Sequence, residues 1–305
     1  PAMKEEGYPD HFAAAISGIA AILGPIIPPS ITLIVYASIT DLSVSKLFVG
    51  SVIPGILMAV GLIIYALFYG KKNDLPAHER KSAKEVLLIF KDSIWALLMP
   101  VIILGGIYGG IFTATEAGAI SALYGLLYYV IRKRTNPLAV SGSVMDMMKF
   151  TISLTGVIMF IMTTANIACK AIAFSGVSQE LVVWMTTHIS SPIVFMLIVN
   201  VIFLICGMFI DSNAAILLFV PLLTPIADAY GIDQVQLAGI ILVNLCVGAI
   251  SPPFCINVFV TTKMKNVKFV EVIHYIWPYL FCCIFVLLMM CFIPGLSTWL
   301  PSLLN

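Results

Sequence analysis

Long apolar runs, separated by short polar stretches, set the rhythm of this chain. They fall at 11–38, 47–70, 93–112, 115–131, 150–169, 193–210, 213–229, 236–262 and 273–294. A run of about 20 apolar residues crosses the hydrocarbon core of a bilayer as a helix. Helices satisfy their own backbone polar groups, which lipid cannot do. The pattern therefore predicts an all-α polytopic membrane protein. Residues 71–92 read as a polar linker running into an amphipathic helix, and 132–149 as a second polar loop. The mixed stretch 171–191, with Gln179, Glu180 and His188, reads as a helix lying along the interface.

Two of the runs are interrupted in the same way. Gly24-Pro25-Ile26-Ile27-Pro28-Pro29 recurs as Gly248-Ala249-Ile250-Ser251-Pro252-Pro253, an offset of 224 residues. In that register Pro1 meets Pro225, Gly7 meets Gly231, Ala14 meets Ala238 and Ile16 meets Ile240. Glycines and prolines are scarce enough to make this an internal repeat. The second copy is preceded by two apolar limbs joined at Gly207-Met208-Phe209-Ile210-Asp211-Ser212-Asn213-Ala214, a re-entrant hairpin with its tip at Asp211–Asn213. The counterpart of that hairpin is expected upstream of Pro1, and the opening PAMKEEGYPD reads as the middle of a longer polypeptide.

Basic residues give each span a direction, since lysine and arginine favour the cytoplasmic side. With 71–92 inside, the pair 93–112 and 115–131 goes out and returns. The limbs 193–210 and 213–229 enter and leave on the outer side, and 236–262 runs inward. Fourteen of the 16 basic residues are then cytoplasmic, Lys4, Arg80, Lys81, Lys263, Lys265 and Lys268 among them; Lys46 and Lys170 are the exceptions. The interrupted spans point in opposite directions, an inverted repeat. The chain divides into 1–42, a first transport element; 43–191, scaffold spans, linkers and the interfacial helix; 192–262, a second transport element; and 263–305, a C-terminal scaffold span.

Composition adds exclusions. The chain is 61% hydrophobic and 10% charged, with mean hydropathy +1.07; soluble domains are about 45–50% apolar and about 25% charged. A net charge of +1 gives no bulk attraction to nucleic acid. The seven cysteines lie in or at the ends of apolar runs without a C-x-x-C pair, as small hydrophobes do. His11, His78, His188 and His274 sit at segment ends or in loops, and no metalloprotease, nucleophile-elbow or phosphate-loop motif occurs. An intramembrane enzyme is disfavoured. A passive channel of the same fold stays open as the alternative to a transporter.

The breaks carry the candidate chemistry. Proline has no N–H and clashes with the carbonyl four residues back. Pro28 and Pro29 are thus expected to free the carbonyls of Gly24 and Pro25, and Pro252 and Pro253 those of Gly248 and Ala249. Bare carbonyls at membrane depth survive where protein, water or an ion satisfies them. With the side-chain oxygens of Ser30, Asn244, Ser251 and Asn257 they suggest a sodium site, and half-helix N-termini suit an anionic substrate. Asp211, Ser212 and Asn213 are either binding residues or a helix cap. Glu116, after Thr113, reads as a cap. The glycines of Leu104-Gly105-Gly106-Ile107-Tyr108-Gly109-Gly110 are expected to permit close helix packing.

Gly24–Ser30, Leu98–Glu116, Gly207–Ala215 and Gly248–Val260 together resemble the large membrane subunit of the tripartite ATP-independent periplasmic (TRAP) transporters, along essentially the whole chain. The resemblance implies a sodium-coupled elevator-type transporter of the bacterial inner membrane, with broken helices and sodium as coupling ion. It implies two protein partners, a small membrane (Q) subunit and a periplasmic substrate-binding protein, besides membrane lipid. The cargo would be an organic acid such as sialic acid, a related sugar acid or a C4-dicarboxylate. It also puts ion and substrate sites beside Gly24–Ser30, Gly248–Asn257 and the hairpin tip. Cys255 stands where the family is expected to have glycine.

Overall fold

The computed structural model describes residues 2–73, 75, 82–135, 143–265 and 267–303. His78, Arg80, Lys81, the middle of the 132–149 loop and the match of Pro1 to Pro225 lie outside the described residues, as do the side chains of Lys4, Lys263 and Lys265. Fifteen helices follow in order among the described residues. After α1 (Ala2–Glu5) come α2 (Asp10–Ala20), α3 (Leu23–Ile26) and α4 (Ile31–Thr40), then α5 (Val44–Lys72). Next are α6 (Ala83–Tyr108), α7 (Ala114–Thr135), α8 (Val144–Ser175) and α9 (Val177–His188). The hairpin limbs are α10 (Pro192–Phe209) and α11 (Ser212–Ala229); α12 (Gln234–Gly248) and α13 (Ile256–Lys265) follow, then α14 (Phe269–Phe292) and α15 (Gly295–Ser302). Seven of the described helical segments are long and apolar enough to cross a membrane. Contacts divide the chain into two units, 1–76 with 162–305, and 77–161.

In the larger unit the repeat is visible in hydrogen bonds. The Tyr8 N–H donates to the Met3 carbonyl at 2.9 Å, and its counterpart Ile232 donates to Ala227, also at 2.9 Å. Both turns need a left-handed glycine, Gly7 at φ 83° and Gly231 at φ 67°. Ala13 to Pro9 and Leu237 to Asp233 are a second matched pair. The Pro28-Pro29 and Pro252-Pro253 peptide bonds are both cis.

The repeats run in opposite directions. The Thr261 hydroxyl donates to the Ala14 carbonyl at 2.9 Å, and a methyl group on Gly18 would lie 2.9 Å from Val258 Cα. As residue number rises along α2 it falls along α13, so these helices are antiparallel. The first half of one broken span thus lies beside the second half of the other, and α12 correspondingly packs against α3 and α4.

The hairpin is antiparallel as expected: the Phe195 and Tyr230 rings stack near its open end and Phe203 meets Phe219 edge-on further in. The Tyr230 hydroxyl donates to the carbonyls of Met185 and Ile189, fastening α9 to that open end. Two long helices brace the unit. On α5, Gly50 touches Val235 and Ser297, Gly55 touches Ile27, and Gly61 touches Cys282 of α14. At the far end of α5, Tyr69 stacks on Phe12 and meets Tyr275 edge-on. Lys71, Lys72 and Lys268 lie at this end, the one that the distribution of basic residues assigns to the cytoplasm.

The unit 77–161 is a helical hairpin with the start of α8. Helix α6 bends by 61° between Lys91 and Ser93, where the amphipathic stretch gives way to the span. The Tyr124 hydroxyl donates to the Trp95 carbonyl, so α7 returns alongside α6. Thr113 and Glu116 cap α7 reciprocally: each side chain accepts from the other's N–H, at 2.8 and 3.3 Å. The expectation for the 105–110 glycines is corrected. Among the described residues they meet no other helix. Gly106 instead leaves room for the Phe112 ring folding back over it, and Gly110 takes φ 65° to turn the chain.

Candidate functional site

Two breaks and one hairpin tip converge on a cavity of about 260 Å³. Helix α4 contributes its N-terminus and Thr32, α13 its N-terminus with Ile256 and Asn257, and α11 its N-terminus with Asp211, Ser212 and Asn213. Ile22 and Pro25 of the first break, Cys246 and Ala249 at the second, and Gly207 and Ile210 at the end of α10 complete the wall. Three helix N-termini therefore border one small space, each with a partial positive charge, and the C-terminal ends of α10 and α12 border it too, each with a partial negative one.

The tip is level with the breaks because Gly207 of α10 and Gly248 of α12 touch backbone to backbone. Helices α10 and α12 run parallel. Gln236 reaches Met196 and Met290 near their start, and Asn244 donates to the Asn200 side-chain oxygen further along. By length alone each hairpin limb could cross a membrane. The shared level of tip and breaks fits the re-entrant arrangement expected from sequence.

Backbone chemistry differs between the breaks. No backbone N–H is donated to the Gly24 or Pro25 carbonyl among the described residues, as Pro28 and Pro29 dictate. The second break departs from expectation. Gly248 keeps a partner in the Ser251 N–H at 2.9 Å, and Ala249 accepts from the Asn257 N–H at 3.3 Å. A tight turn ahead of Pro252 supplies the donor to Gly248, and the chain beyond Pro253 turns back far enough to supply the one to Ala249. Carbonyls near Gly248 thus offer only a second lone pair, whereas those near Gly24 are bare.

Side chains divide likewise. Pro25, Asp211, Ser212, Asn213 and Asn257 line the cavity. Gly24, Pro28, Pro29, Ser30, Asn244, Gly248, Ser251, Pro252 and Pro253 are not in its lining. Ser30 Oγ accepts from the Leu33 N–H and caps α4; Ser251 Oγ donates back to the Val247 carbonyl at 2.8 Å. Asn244 faces Asn200 between helices, with its own Oδ1 buried and unpartnered. Asp211 Oδ1 accepts from the Asn213 and Ala214 N–H groups at 2.9 and 3.4 Å, so the capping alternative holds while the residue still borders the cavity. Asn213 Oδ1 is buried without a partner. Oxygen-only donors of this kind, bare carbonyls and an amide oxygen, suit a hard monovalent cation. Thr32 and Gly207 are lining residues that sequence reasoning missed. Thr32 had a signal, a hydroxyl in the first turn after a proline break.

A pair of inverted broken spans closing on a hairpin tip, in a chain with seven candidate crossings among its described residues, defines a multi-pass membrane transport protein. The chain belongs to the tripartite ATP-independent periplasmic transporters: residues 1–296 match the family of their DctM component. It is 37% identical over 304 residues to the C4-dicarboxylate TRAP transporter large permease protein DctM of Pseudomonas aeruginosa, covering 99% of this chain and 70% of that protein. It is 32% identical to the sialic acid TRAP transporter large permease protein SiaM of Vibrio cholerae, with the same coverage of 99% and 70%. The isethionate TRAP transporter permease protein DctMQ of Oleidesulfovibrio alaskensis is 34% identical over 97% of this chain and 46% of that protein. This is a TRAP translocation subunit of the bacterial inner membrane, and not an enzyme.

Proposed function

We propose that this subunit carries a small organic acid inward in company with sodium, after a periplasmic binding protein delivers the acid and with a small membrane subunit alongside. The observation that carries the reading is the cavity at the two breaks, lined by Pro25 and Asn213, where the Pro25 carbonyl has no backbone donor and Asn213 Oδ1 lies buried and unpartnered; the Gly24 carbonyl, next in the chain, also has no backbone donor. Sodium would supply the charge that these oxygens lack, and the three half-helix N-termini would favour the acid group. Gly/Pro-broken spans at corresponding positions of inverted repeats are where secondary transporters hold ion and substrate. The substrates named for the relatives, a C4-dicarboxylate, sialic acid and isethionate, all carry an acid group.

The hairpin and both broken spans pack on one another, α10 on α12, α11 on α4 and α2 on α13. That supports their moving together as the carrier in an elevator-type step. The test is uptake by proteoliposomes holding the large subunit, its small subunit and the binding protein, across sugar acids, C4-dicarboxylates and isethionate. Saturable uptake driven by an inward sodium gradient is expected for one class. Flux independent of sodium, or an unsaturable conductance, would overturn the reading.

A further inference from the structure

At the cytoplasmic end of the larger unit, away from the two breaks, α5 and α14 frame a second cavity of about 510 Å³. Its walls are aromatic, from Tyr65, Tyr69 and Tyr275, and its mouth holds Lys72 and His274. We propose that it binds the headgroup of an anionic phospholipid, with Lys72 and His274 on the phosphodiester and the tyrosines beside the glycerol.

Charge at the mouth favours an anion. Glu271 also borders the cavity, but its carboxylate lies 3.3 Å from His11 Nδ1 and 4.0 Å from Lys268 Nζ. Lys268 offsets its charge, leaving the Lys72 ammonium and the His274 ring to the ligand. Lys72 sits in the last turn of α5, where a cation is also matched to the helix dipole. Cationic pockets between membrane helices on the cytoplasmic side hold anionic headgroups in this way, and tyrosine is at home at that depth.

The walls above the cavity favour a lipid over free phosphate. Phe68 and Ile64 continue its α5 side one turn at a time toward mid-membrane, and they are 70% and 61% exposed. Phe281 and Phe285 do the same on α14, at 65% and 63%. This is an uninterrupted apolar track leading from the headgroup position, as acyl chains require.

Native mass spectrometry of the intact subunit in nanodiscs tests the assignment, with phosphatidylglycerol, phosphatidylethanolamine and phosphatidylcholine competing. Phosphatidylglycerol should be retained preferentially, and Lys72→Gln should weaken that retention about fivefold, as expected for one cation near a membrane surface. His274→Gln should weaken it further, while Lys71→Gln, outside the cavity on the same helix end, should change it little. Equal retention of all three lipids, equal loss in the Lys71 and Lys72 variants, or displacement by millimolar inorganic phosphate would each overturn the proposal.

Discussion

Gly207 and Gly248 meet without side chains between them: a methyl group on Gly248 would lie 2.7 Å from Gly207 Cα, and one on Gly207 would lie 2.6 Å from the Leu245 carbonyl. Backbone is on both sides, so neither helix can yield. Alanine at either position should cost about 1–3 kcal/mol by overpacking, read as a lower unfolding midpoint in detergent, with uptake lost. Gly105→Ala, which meets nothing within 4 Å, should instead be neutral or stabilising. Equal effects at Gly105 and Gly248 would contradict the contact.

Cys255 holds φ at 42°, a conformation that costs an L-residue about 1–2 kcal/mol and glycine nearly nothing. The cysteine is also buried, so replacing it forfeits some packing. Comparing two truncations separates these effects. Cys255→Gly should be more stable than Cys255→Ala by about 1 kcal/mol, measured by thermal unfolding. The opposite order would mean that the backbone there relaxes without strain.

Replacing both Pro28 and Pro29 by alanine returns N–H donors to the Gly24 and Pro25 carbonyls. Those oxygens should then be tied up, and half-maximal sodium for uptake should rise about tenfold, the equivalent of 1.4 kcal/mol. The same change at Pro252 and Pro253 should act more weakly on sodium, because Gly248 and Ala249 already have N–H partners. Sodium titrations of uptake for the two double variants distinguish the breaks.

Asp211 combines a capping role with a place on the cavity wall. Asparagine caps about as well as aspartate, whereas alanine forfeits about 1 kcal/mol. Asp211→Asn should therefore keep the stability that Asp211→Ala loses. If Asp211→Asn also keeps sodium-driven uptake, the cap is the whole of its role; if uptake falls while stability holds, the charge takes part in transport.

Much of this architecture was readable from residue order. Matching Gly-Pro breaks 224 residues apart give the repeat, and lysine placement gives opposed directions that the Ala14–Thr261 and Gly18–Val258 contacts bear out. Local rules ended where tertiary contacts begin. Nothing in the run after Pro253 announces that the Asn257 N–H returns to the Ala249 carbonyl, and nothing near Asn244 says that it faces Asn200 instead of the cavity. The glycines at 105–110 form the pattern of a packing face, yet a local ring and a turn account for Gly106 and Gly110.

The clasp between Ala14 and Thr261 joins positions 247 residues apart. During synthesis, α2 must therefore wait in the membrane until α13 has been made, and contacts of such separation form slowly. An early broken helix whose carbonyls at Gly24 and Pro25 lack donors is poorly matched to lipid in that interval. The first broken span should thus gain its final packing only once synthesis has passed Thr261, so a chain truncated after α11 should leave α2 open to proteolysis.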